Sequence, residues 1–377
     1  MTSKERMICA MNLEVPDRIP VMAQFSIGFM LQQLNVSPSE FWFDKNVFKK
    51  GLIKLREEFG FDGILVSLFG HDPYWKSHLH KVEKTESEEI IIWDNGDIIS
   101  CPNNDLPIYN FFNEIDRSDI DNLITNHLPE KLNYIPVSQN LPFYINEQHK
   151  FDVLKEIVTE SDNKYSVHGE ITSPFDYYLD LTGHQDGLIH LIDFPEKCKL
   201  ILAHFTKLIK ESAVEMCNTG IDAIKVSSPF AGSGFISPDD YREFVLPYEK
   251  EIVRAVREKG IFIYTHTCGS INDRLEIMFE SGINGIECLD PEPIGDVELE
   301  DALIRLQGKG FIKGNADPVA LLMNENINEL LEDLKNRVAL GKANSGFILS
   351  TACSIAPATP KKNILLMKEA VDKWGNI

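Results

Sequence analysis

The sequence predicts an α/β fold: a (β/α)8 TIM barrel with an inserted segment after the second strand. The main observation is that the second half of the chain alternates short apolar, strand-like segments with helix-like segments. Glycines and prolines mark many of the changes from one kind of segment to the other. A third observation is that this rhythm is broken over residues of about 70–163.

Eight segments have the composition of buried parallel strands. They are Arg18–Phe25, Phe61–Phe69, Tyr165–Gly169, Asp222–Val226, Ile261–Tyr264, Gly285–Cys288, Phe311–Gly314 and Gly346–Ser350. Helical patterns separate the later ones. The longest runs from about Pro195 to Asn218, and another begins where Ser237 can cap a helix that has Pro238 in its first turn. Eight strands alternating with helices predict a closed barrel.

The region of about 70–163 predicts something other than barrel units. Ile90–Trp93 and Ile98–Ser100 flank Asn95-Gly96, a dipeptide that favours the tight turn of a β-hairpin. We interpret the region as an insertion that covers one barrel mouth. The whole chain, 1–377, is then a single barrel domain.

Composition limits the classes of partner. The formal net charge of -21 argues against nucleic acid and against an anionic membrane surface, since both are bound by clustered Lys and Arg. No segment has the features of a signal peptide or the apolar length of a membrane span. The seven cysteines form an odd, scattered set that suits a reducing compartment, so the expected location is the cytoplasm.

The most informative residues are a histidine and two cysteines that follow two different strands. His266 and Cys268 come directly after the strand that ends at Tyr264, and Cys353 follows the last strand. In a barrel, both segments emerge at the carboxyl-terminal face, where active sites are assembled. One imidazole and two thiolates suit Zn²⁺ and leave a fourth position open for chemistry.

Each of the three could instead be an ordinary buried residue, because a His-x-Cys pair alone carries little information. Cys288 competes as a ligand, but its position one residue after Glu287 predicts that it faces the other side of its strand. The other four cysteines are expected to be structural or incidental: Cys9, Cys101, Cys198 and Cys217.

The charge of this ligand set favours one kind of reaction. Two thiolates and a neutral imidazole offset the charge of the ion, so the centre would be a poor Lewis acid for making hydroxide. It would suit a bound thiolate that stays nucleophilic. The set therefore favours alkyl transfer to sulphur over hydrolysis.

Several motifs in order along the chain resemble those of the uroporphyrinogen decarboxylase superfamily. They are Glu5–Met7 with Val15–Val21, Gly169–Pro174, Phe235–Pro238 with Leu246–Tyr248, Gly314–Pro318, and Ala358–Pro360 with Asn363. The decarboxylases of that superfamily carry arginines after the first strand that bind the propionates of the tetrapyrrole. This sequence has Met22–Gly28 there, without an arginine. Decarboxylation is therefore not the first choice.

The His266, Cys268 and Cys353 pattern instead resembles the His-x-Cys…Cys zinc site of the corrinoid-dependent methyltransferases in this superfamily, which include the methylcobamide:coenzyme M enzymes. The resemblance implies that these three residues are the ligands of Zn²⁺. It also implies methyl transfer to or from a corrinoid of the methylcobalamin type. Since the sequence has no Asp-x-His-x-x-Gly motif, the corrinoid is expected on a partner protein or as a free cofactor.

Further polar residues at strand ends are secondary candidates. Glu287 and Glu170 are candidates for catalytic roles, Glu287 also for the fourth zinc ligand, although a carboxylate bonded at the barrel rim is an equal alternative. Candidates for substrate binding are His71, Asp72, His168 and Asn315. A solvent-exposed loop is the alternative for His71 and Asp72, and a turn shaped by Asp317-Pro318 is the alternative at Asn315.

Three functions follow as hypotheses. The first is zinc-dependent methyl transfer between a corrinoid and a small thiol acceptor or methoxylated or methylated donor. The second is a metal-free, uroporphyrinogen decarboxylase-like tetrapyrrole decarboxylase. The third is a non-catalytic protein that binds a corrinoid or porphyrin. Dimerisation, as a homodimer, is left open.

Overall fold

A computed structural model describes residues 1–110, 117 and 119–377. In this part of the chain the strands are β1 (Gly63–Val66), β2 (Leu79–Lys84), β3 (Glu88–Trp93), β4 (Ile98–Pro102), β5 (Ile108–Asn110), β6 (Tyr134–Ser138), β7 (Leu141–Tyr144), β8 (Ser166–Thr172), β9 (Ala223–Ser227), β10 (Phe262–Thr267), β11 (Gly285–Cys288), β12 (Phe311–Ala316) and β13 (Phe347–Thr351).

The α-helices of the same residues are α1 (Ser3–Met11), α2 (Ile27–Leu34), α3 (Pro38–Phe43), α4 (Lys45–Phe59), α5 (Ile120–Asn126), α6 (Asp152–Ser161), α7 (Pro174–Thr182), α8 (His184–Asp193), α9 (Pro195–Met216), α10 (Pro238–Phe244), α11 (Leu246–Arg257), α12 (Leu275–Phe279), α13 (Leu299–Arg305), α14 (Pro318–Met323), α15 (Ile327–Ala343) and α16 (Lys361–Trp374). Among the described residues, no helix is both long enough and apolar enough to cross a membrane.

The main sheet confirms the predicted α/β fold. Seven parallel strands are hydrogen-bonded in the order β1-β8-β9-β10-β11-β12-β13. At least one helix lies between each pair of consecutive strands of this sheet. All seven coincide with predicted strands, and their carboxyl ends therefore meet at one face.

The eighth predicted strand, Arg18–Phe25, is wrong as a strand. It forms isolated bridges instead of a regular strand. At the central bridge, Met22 N donates to Leu349 O at 3.0 Å, Leu349 N to Pro20 O at 2.9 Å, and Asp62 N to Val21 O at 2.8 Å. These bonds join β13 to the start of β1 and fill the eighth place of the barrel. Pro20 has no N–H group to donate, so a longer ladder cannot form there.

A buried carboxylate fixes this closing segment. Asp62 is fully buried and accepts hydrogen bonds from Val21 N at 2.8 Å, Arg6 Nη1 at 2.8 Å and Arg18 Nη1 at 2.9 Å. The single carboxylate of Asp62 balances the charges of two guanidinium groups only in part, and Asp17 supplies a further carboxylate to Arg6 at 2.6 Å. The amino-terminal helix α1 is thereby tied to the barrel seam.

The segment between β1 and β8 has small sheets of its own. Strands β2-β3-β4-β5 form an antiparallel sheet, and β6-β7 form a second. The predicted hairpin is confirmed by β3 and β4, whose turn contains Gly96 with a φ of 91°. That the segment is an insertion, and that it covers a barrel mouth within a single domain, stay predictions.

The barrel interior is layered. The lower layer is apolar and includes Met22, Ala223, Tyr264 and Phe311, packed against Met7 of α1. Since alternate residues of a strand face the interior, His266 lies one layer above Tyr264 on the same strand. This upper layer carries buried charged side chains together with His266, one of the predicted ligands.

Candidate metal centre

The structure brings the side chains of His266, Cys268 and Cys353 together. His266 Nε2 lies 3.3 Å from Cys268 Sγ, and the two sulphur atoms lie 3.7 Å apart. One ligand atom from each of the three residues lies within 4.8 Å of the other two. Strand β10 carries His266 near its end, whereas Cys268 and Cys353 lie in the loops that follow β10 and β13.

Backbone hydrogen bonds fix the two loops. After Cys268, Gly269 has a φ of 73°, and its N–H donates to Asp290 Oδ2 at 2.8 Å. On the other side, Ala352 N donates to Ala316 O at 2.8 Å, and Ile355 N to Gln24 O at 2.9 Å. Both cysteines are therefore held from several directions while their side chains stay partly exposed.

The electrostatics of the three groups fit a cation between them. Hydrogen bonding from the Cys268 and Cys288 thiols lowers the pKa of Cys353 far below its ordinary value. Burial opposes the charged form of His266, but the charge of Cys268 raises its pKa well above the ordinary value. Two sulphur donors and one imidazole form a donor set that suits Zn²⁺. The residues present fit this ion.

Glu287 lies behind the imidazole ring. Its Oε2 is 3.3 Å from His266 Nδ1, on the side of the ring away from Nε2, which faces Cys268. A carboxylate in this place holds a metal-binding histidine in the tautomer that leaves Nε2 free for the ion. The position favours a role in orienting His266 over the predicted catalytic or fourth-ligand role.

Two buried lysines flank Glu287, and sequence reasoning missed both. Lys313 Nζ donates to Glu287 Oε1 and, at 3.2 Å, to Ser350 Oγ. Lys225 Nζ lies 3.8 Å from Glu287 Oε2. Burial favours the neutral form of Glu287, yet Lys313 and Lys225 hold its pKa well below the ordinary value. The sequence does carry a signal for both residues, namely a lysine within an otherwise apolar strand.

Glu170 belongs to the same charged layer. Its Oε1 lies 3.2 Å from Lys225 Nζ, which also donates to Gln24 Oε1 at 2.8 Å. Its Oε2 is buried and has no hydrogen-bond partner among the described residues. Glu170 therefore neutralises Lys225, and it keeps one oxygen available at the floor of the site.

The expected orientation of Cys288 is wrong. Cys288 and Leu289 have positive φ values of 91° and 59°, so the backbone leaves the regular strand geometry on which side-chain alternation depends. As a result, Cys288 Sγ lies in one group with Cys268 Sγ and Asp290, and it donates to Asp290 Oδ2 at 3.1 Å. Cys288 is a neighbour of the predicted ligands.

Asn315 is fully buried and holds this same turn. Its Nδ2 donates to Leu289 O at 2.9 Å, and its Oδ1 accepts a hydrogen bond from Arg337. Both ends of the amide are thereby engaged. The structure favours a positioning role over the predicted contact with substrate.

His168 lies in the lower layer of the barrel, away from the ligand set. Its Nδ1 is 3.0 Å from Tyr264 Oη and its Nε2 is 3.0 Å from Ser166 Oγ. Burial lowers the pKa of His168 to about 4, so the ring is neutral. Both nitrogens are occupied, and the structure does not bring this predicted substrate residue to the metal centre.

His71 and Asp72 also lie apart from the ligand set. Both line an apolar cavity of about 360 Å³ beside the four-stranded sheet, and the described residues that line it include none of the three predicted ligands. The six secondary candidates thus lie in three different places. Glu287 and Glu170 lie below the metal centre, Asn315 supports it, and His168, His71 and Asp72 are elsewhere.

A parallel barrel with polar ligands gathered at the carboxyl ends of its strands is the architecture of an enzyme. Comparison with known families agrees with this class: residues 121–374 match the family described as uroporphyrinogen decarboxylase (URO-D). The chain belongs to the uroporphyrinogen decarboxylase family.

Individual relatives come from two groups. The methylcobamide:CoM methyltransferase MtbA of Methanosarcina acetivorans is 32% identical over 162 residues, which are 43% of this chain and 45% of the relative. The uroporphyrinogen decarboxylase of Prochlorococcus marinus (strain MIT 9515) is 29% identical over 256 residues, 65% of this chain and 68% of the relative. The chain thus matches less than half the length of its methyltransferase relative.

A solved structure confirms the fold over the full length. A methyltransferase from Methanosarcina mazei superimposes with a TM-score of 0.73 and covers 99% of both chains, at 18% sequence identity. The likeness to MtbA and to this fold supports the resemblance to the methyltransferase branch of the superfamily.

Proposed function

We propose that the protein is a zinc-dependent methyltransferase that moves a methyl group between a corrinoid and a small substrate. The substrate is a thiol acceptor or a methoxylated or methylated donor, and the corrinoid is free or carried on a partner protein. The observation that carries the proposal is the convergence of His266 Nε2 with the sulphur atoms of Cys268 and Cys353. The likeness to MtbA supports the same reaction class.

The residues of the chain have separable roles in this proposal. His266, Cys268 and Cys353 hold the ion, and Glu287 orients the imidazole through Nδ1. When bound, Zn²⁺ would lower the pKa of a substrate thiol while the two thiolate ligands keep that sulphur nucleophilic. The partly exposed side of the two cysteines is the side from which substrate can approach.

The charged layer below the site argues against a substrate with many carboxylates. Lys225 is paired with Glu170, and Lys313 with Glu287, so neither buried cation lacks a protein counter-charge. Residues 22–28 add no arginine. A tetrapyrrole bearing several propionates would find little to bind its charges here, although the family also contains decarboxylases.

Metal content is the first test. Protein purified without a polyhistidine tag should contain about one zinc per chain, and Cys353→Ala should lose it because two donors remain. Cys217→Ala, which changes a buried thiol that donates to Ala213 O at the end of α9, is the matched control and should keep the metal. Circular dichroism verifies that each variant folds. Full zinc content in Cys353→Ala would contradict the ligand assignment.

Methyl transfer is the second test. Methylcobalamin is incubated with a panel of thiols and with tetrahydrofolate, and loss of the methyl group is followed by the corrinoid absorbance. We expect turnover with a thiol in the wild type and none in Cys353→Ala. Turnover of a porphyrinogen without metal would instead support the decarboxylase.

Cys288→Ala separates an enzyme from a binding protein. If three protein ligands leave one position open, this variant keeps its zinc. Loss of zinc would mean that Cys288 completes a closed set of four protein ligands, which is the arrangement of a structural site. A non-catalytic role in corrinoid binding would then be favoured.

A further inference from the structure

The cavity beside the four-stranded sheet lies outside the proposed metal centre and has a composition of its own. Its volume is about 360 Å³, within the range of small-molecule sites. Its walls are mainly aromatic: Phe43, Trp75, Trp93, Tyr109 and Phe143 all line it. Such walls offer π faces as well as apolar area.

The aromatic walls are held rigidly by one another. The ring centroid of Phe43 lies 5.3 Å from that of Trp75 and 5.1 Å from that of Trp93. Deeper in the cavity, the ring of His71 lies 4.9 Å from Phe143. These ring contacts favour a cavity whose shape is largely formed before a ligand binds.

The charged groups that line the cavity are acidic. Asp72, Asp94 and Asp97 line it, whereas no Lys or Arg does among the described residues. His78 also lines the cavity, and its Nε2 lies 3.6 Å from Asp72 Oδ2. Nearby, the Lys76 ammonium lies 5.2 Å from the Trp75 ring centroid. Carboxylates combined with π faces attract cations and repel anions.

One of the lining residues is a buried histidine that has no hydrogen bond to any described residue. His71 is 2% exposed, and both its ring nitrogens are buried without a hydrogen-bond partner among the described residues. Burial lowers the pKa of His71 to about 3, so one nitrogen offers a lone pair at neutral pH. Leaving it unpaired costs free energy that a ligand N–H group would recover.

We propose that this cavity binds a small organic ammonium ion, which packs its alkyl or aryl part against the aromatic rings and donates an N–H hydrogen bond to His71. The aromatic rings and the carboxylates explain why the ligand should be positively charged. The unpaired ring nitrogen of His71 explains why the ligand should carry an N–H group. This inference is independent of the metal centre and of methyl transfer.

Isothermal titration of the full chain with three probes tests the proposal. N,N-dimethylbenzylammonium has the ring, the charge and the N–H group. N,N,N-trimethylbenzylammonium lacks the N–H group, and the neutral tertiary alcohol of the same shape lacks the charge. We expect the first probe to bind most tightly and the alcohol most weakly.

Two variants assign the contacts. His71→Phe should weaken binding of the dimethyl probe about tenfold and leave the trimethyl probe unchanged, because only the first uses the ring nitrogen. Trp93→Leu should weaken binding of both cationic probes. Trp374→Leu, on the terminal helix, is the matched control and should leave the binding of both unchanged.

Two results would overturn the inference. If the alcohol binds as tightly as the ammonium ions, the cavity selects apolar shape and not charge. If no probe gives a heat of binding, it is not a site for this class of ligand. Neither result depends on a variant that folds, and neither bears on zinc content or methyl transfer.

Discussion

At the scale of single residues, Glu287 links two features of the site. One oxygen faces His266 Nδ1 at 3.3 Å, and the other accepts a hydrogen bond from Lys313. Lys225 lies 3.8 Å away. One carboxylate therefore balances buried positive charge and is also placed to orient a proposed ligand, and separate measurements can follow the two roles.

Glu287→Gln keeps the shape of the side chain and removes its charge. We expect zinc affinity to fall about 10–100-fold, as when outer-shell partners of a metal-binding histidine are lost. The free energy of unfolding should also fall by about 3 kcal/mol or more, because two buried lysines lose their shared counter-charge. Competition with a zinc chelator and urea unfolding measure the two effects.

Glu249→Gln is the control for that substitution. Burial raises the pKa of Glu249 to about 7, so at pH 6, where the comparison is made, its carboxyl is mainly protonated and the amide replaces it at small cost. Equal zinc affinity in Glu287→Gln and the wild type would contradict the orienting role.

At the scale of elements, the turn after β11 decides which side chains reach the centre. The positive φ values of Cys288 and Leu289 bring the Cys288 thiol beside Cys268. Asn315 of β12 holds this turn through Leu289 O, and Asp290 joins it to Gly269 of the β10 loop. Three strand ends are thereby fixed relative to one another.

Asn315→Ala should release this turn. The Leu289 carbonyl and the Arg337 guanidinium lose a buried partner, so the free energy of unfolding should fall by about 1–3 kcal/mol. Asn344→Ala, which removes one hydrogen bond at the end of α15, should cost less. Urea denaturation of both variants makes the comparison, and an equal loss in the two would argue against the role of Asn315 in holding the turn.

The sequence predicts these elements unevenly, for physical reasons. Seven barrel strands follow from apolar runs bounded by turns, and the three proposed ligands follow from their positions at strand ends. The orientation of Cys288 does not follow from the sequence, because the alternation of side chains along a strand presumes regular strand dihedral angles. Nor does the pairing of Lys225 with Glu170, since it depends on which residues of separate strands share a layer.

At the scale of the whole molecule, the barrel is closed by a few hydrogen bonds of residues 20–22 and by the carboxylate of Asp62. The charge of Asp62 is buried and paired with Arg6 and Arg18. Global stability is therefore expected to depend on this seam.

Asp62→Asn should lower the free energy of unfolding by about 3–5 kcal/mol, since two guanidinium groups lose a buried partner. Asp17→Asn changes the more exposed carboxylate bound to Arg6 and should cost about 1 kcal/mol or less. Thermal and urea unfolding of the pair test this difference, which a similar cost for both would contradict.

The pKa values of two other buried carboxyl groups predict how the free energy of unfolding varies with pH. Burial raises the pKa of Asp176 to about 8 and that of Glu249 to about 7. The folded state then holds protons that the unfolded state has released, so the free energy of unfolding should fall as pH rises from about 4 to about 8. The double variant Asp176→Asn, Glu249→Gln should reduce this slope, and an unchanged slope would contradict the assignment.

The anchoring of the Cys353 loop has a consequence for how the molecule can be divided. Every proposed ligand belongs to the stretch matched by the family, residues 121–374. Yet the loop that carries Cys353 is pinned at Ile355 by Gln24 O and Ser26 N, far upstream of that stretch. Gln24 and Ser26 supply none of the proposed ligands, but they hold the loop of one of them, Cys353, in place. The half of the chain that carries the proposed ligands is therefore not a module that can be excised with its site intact.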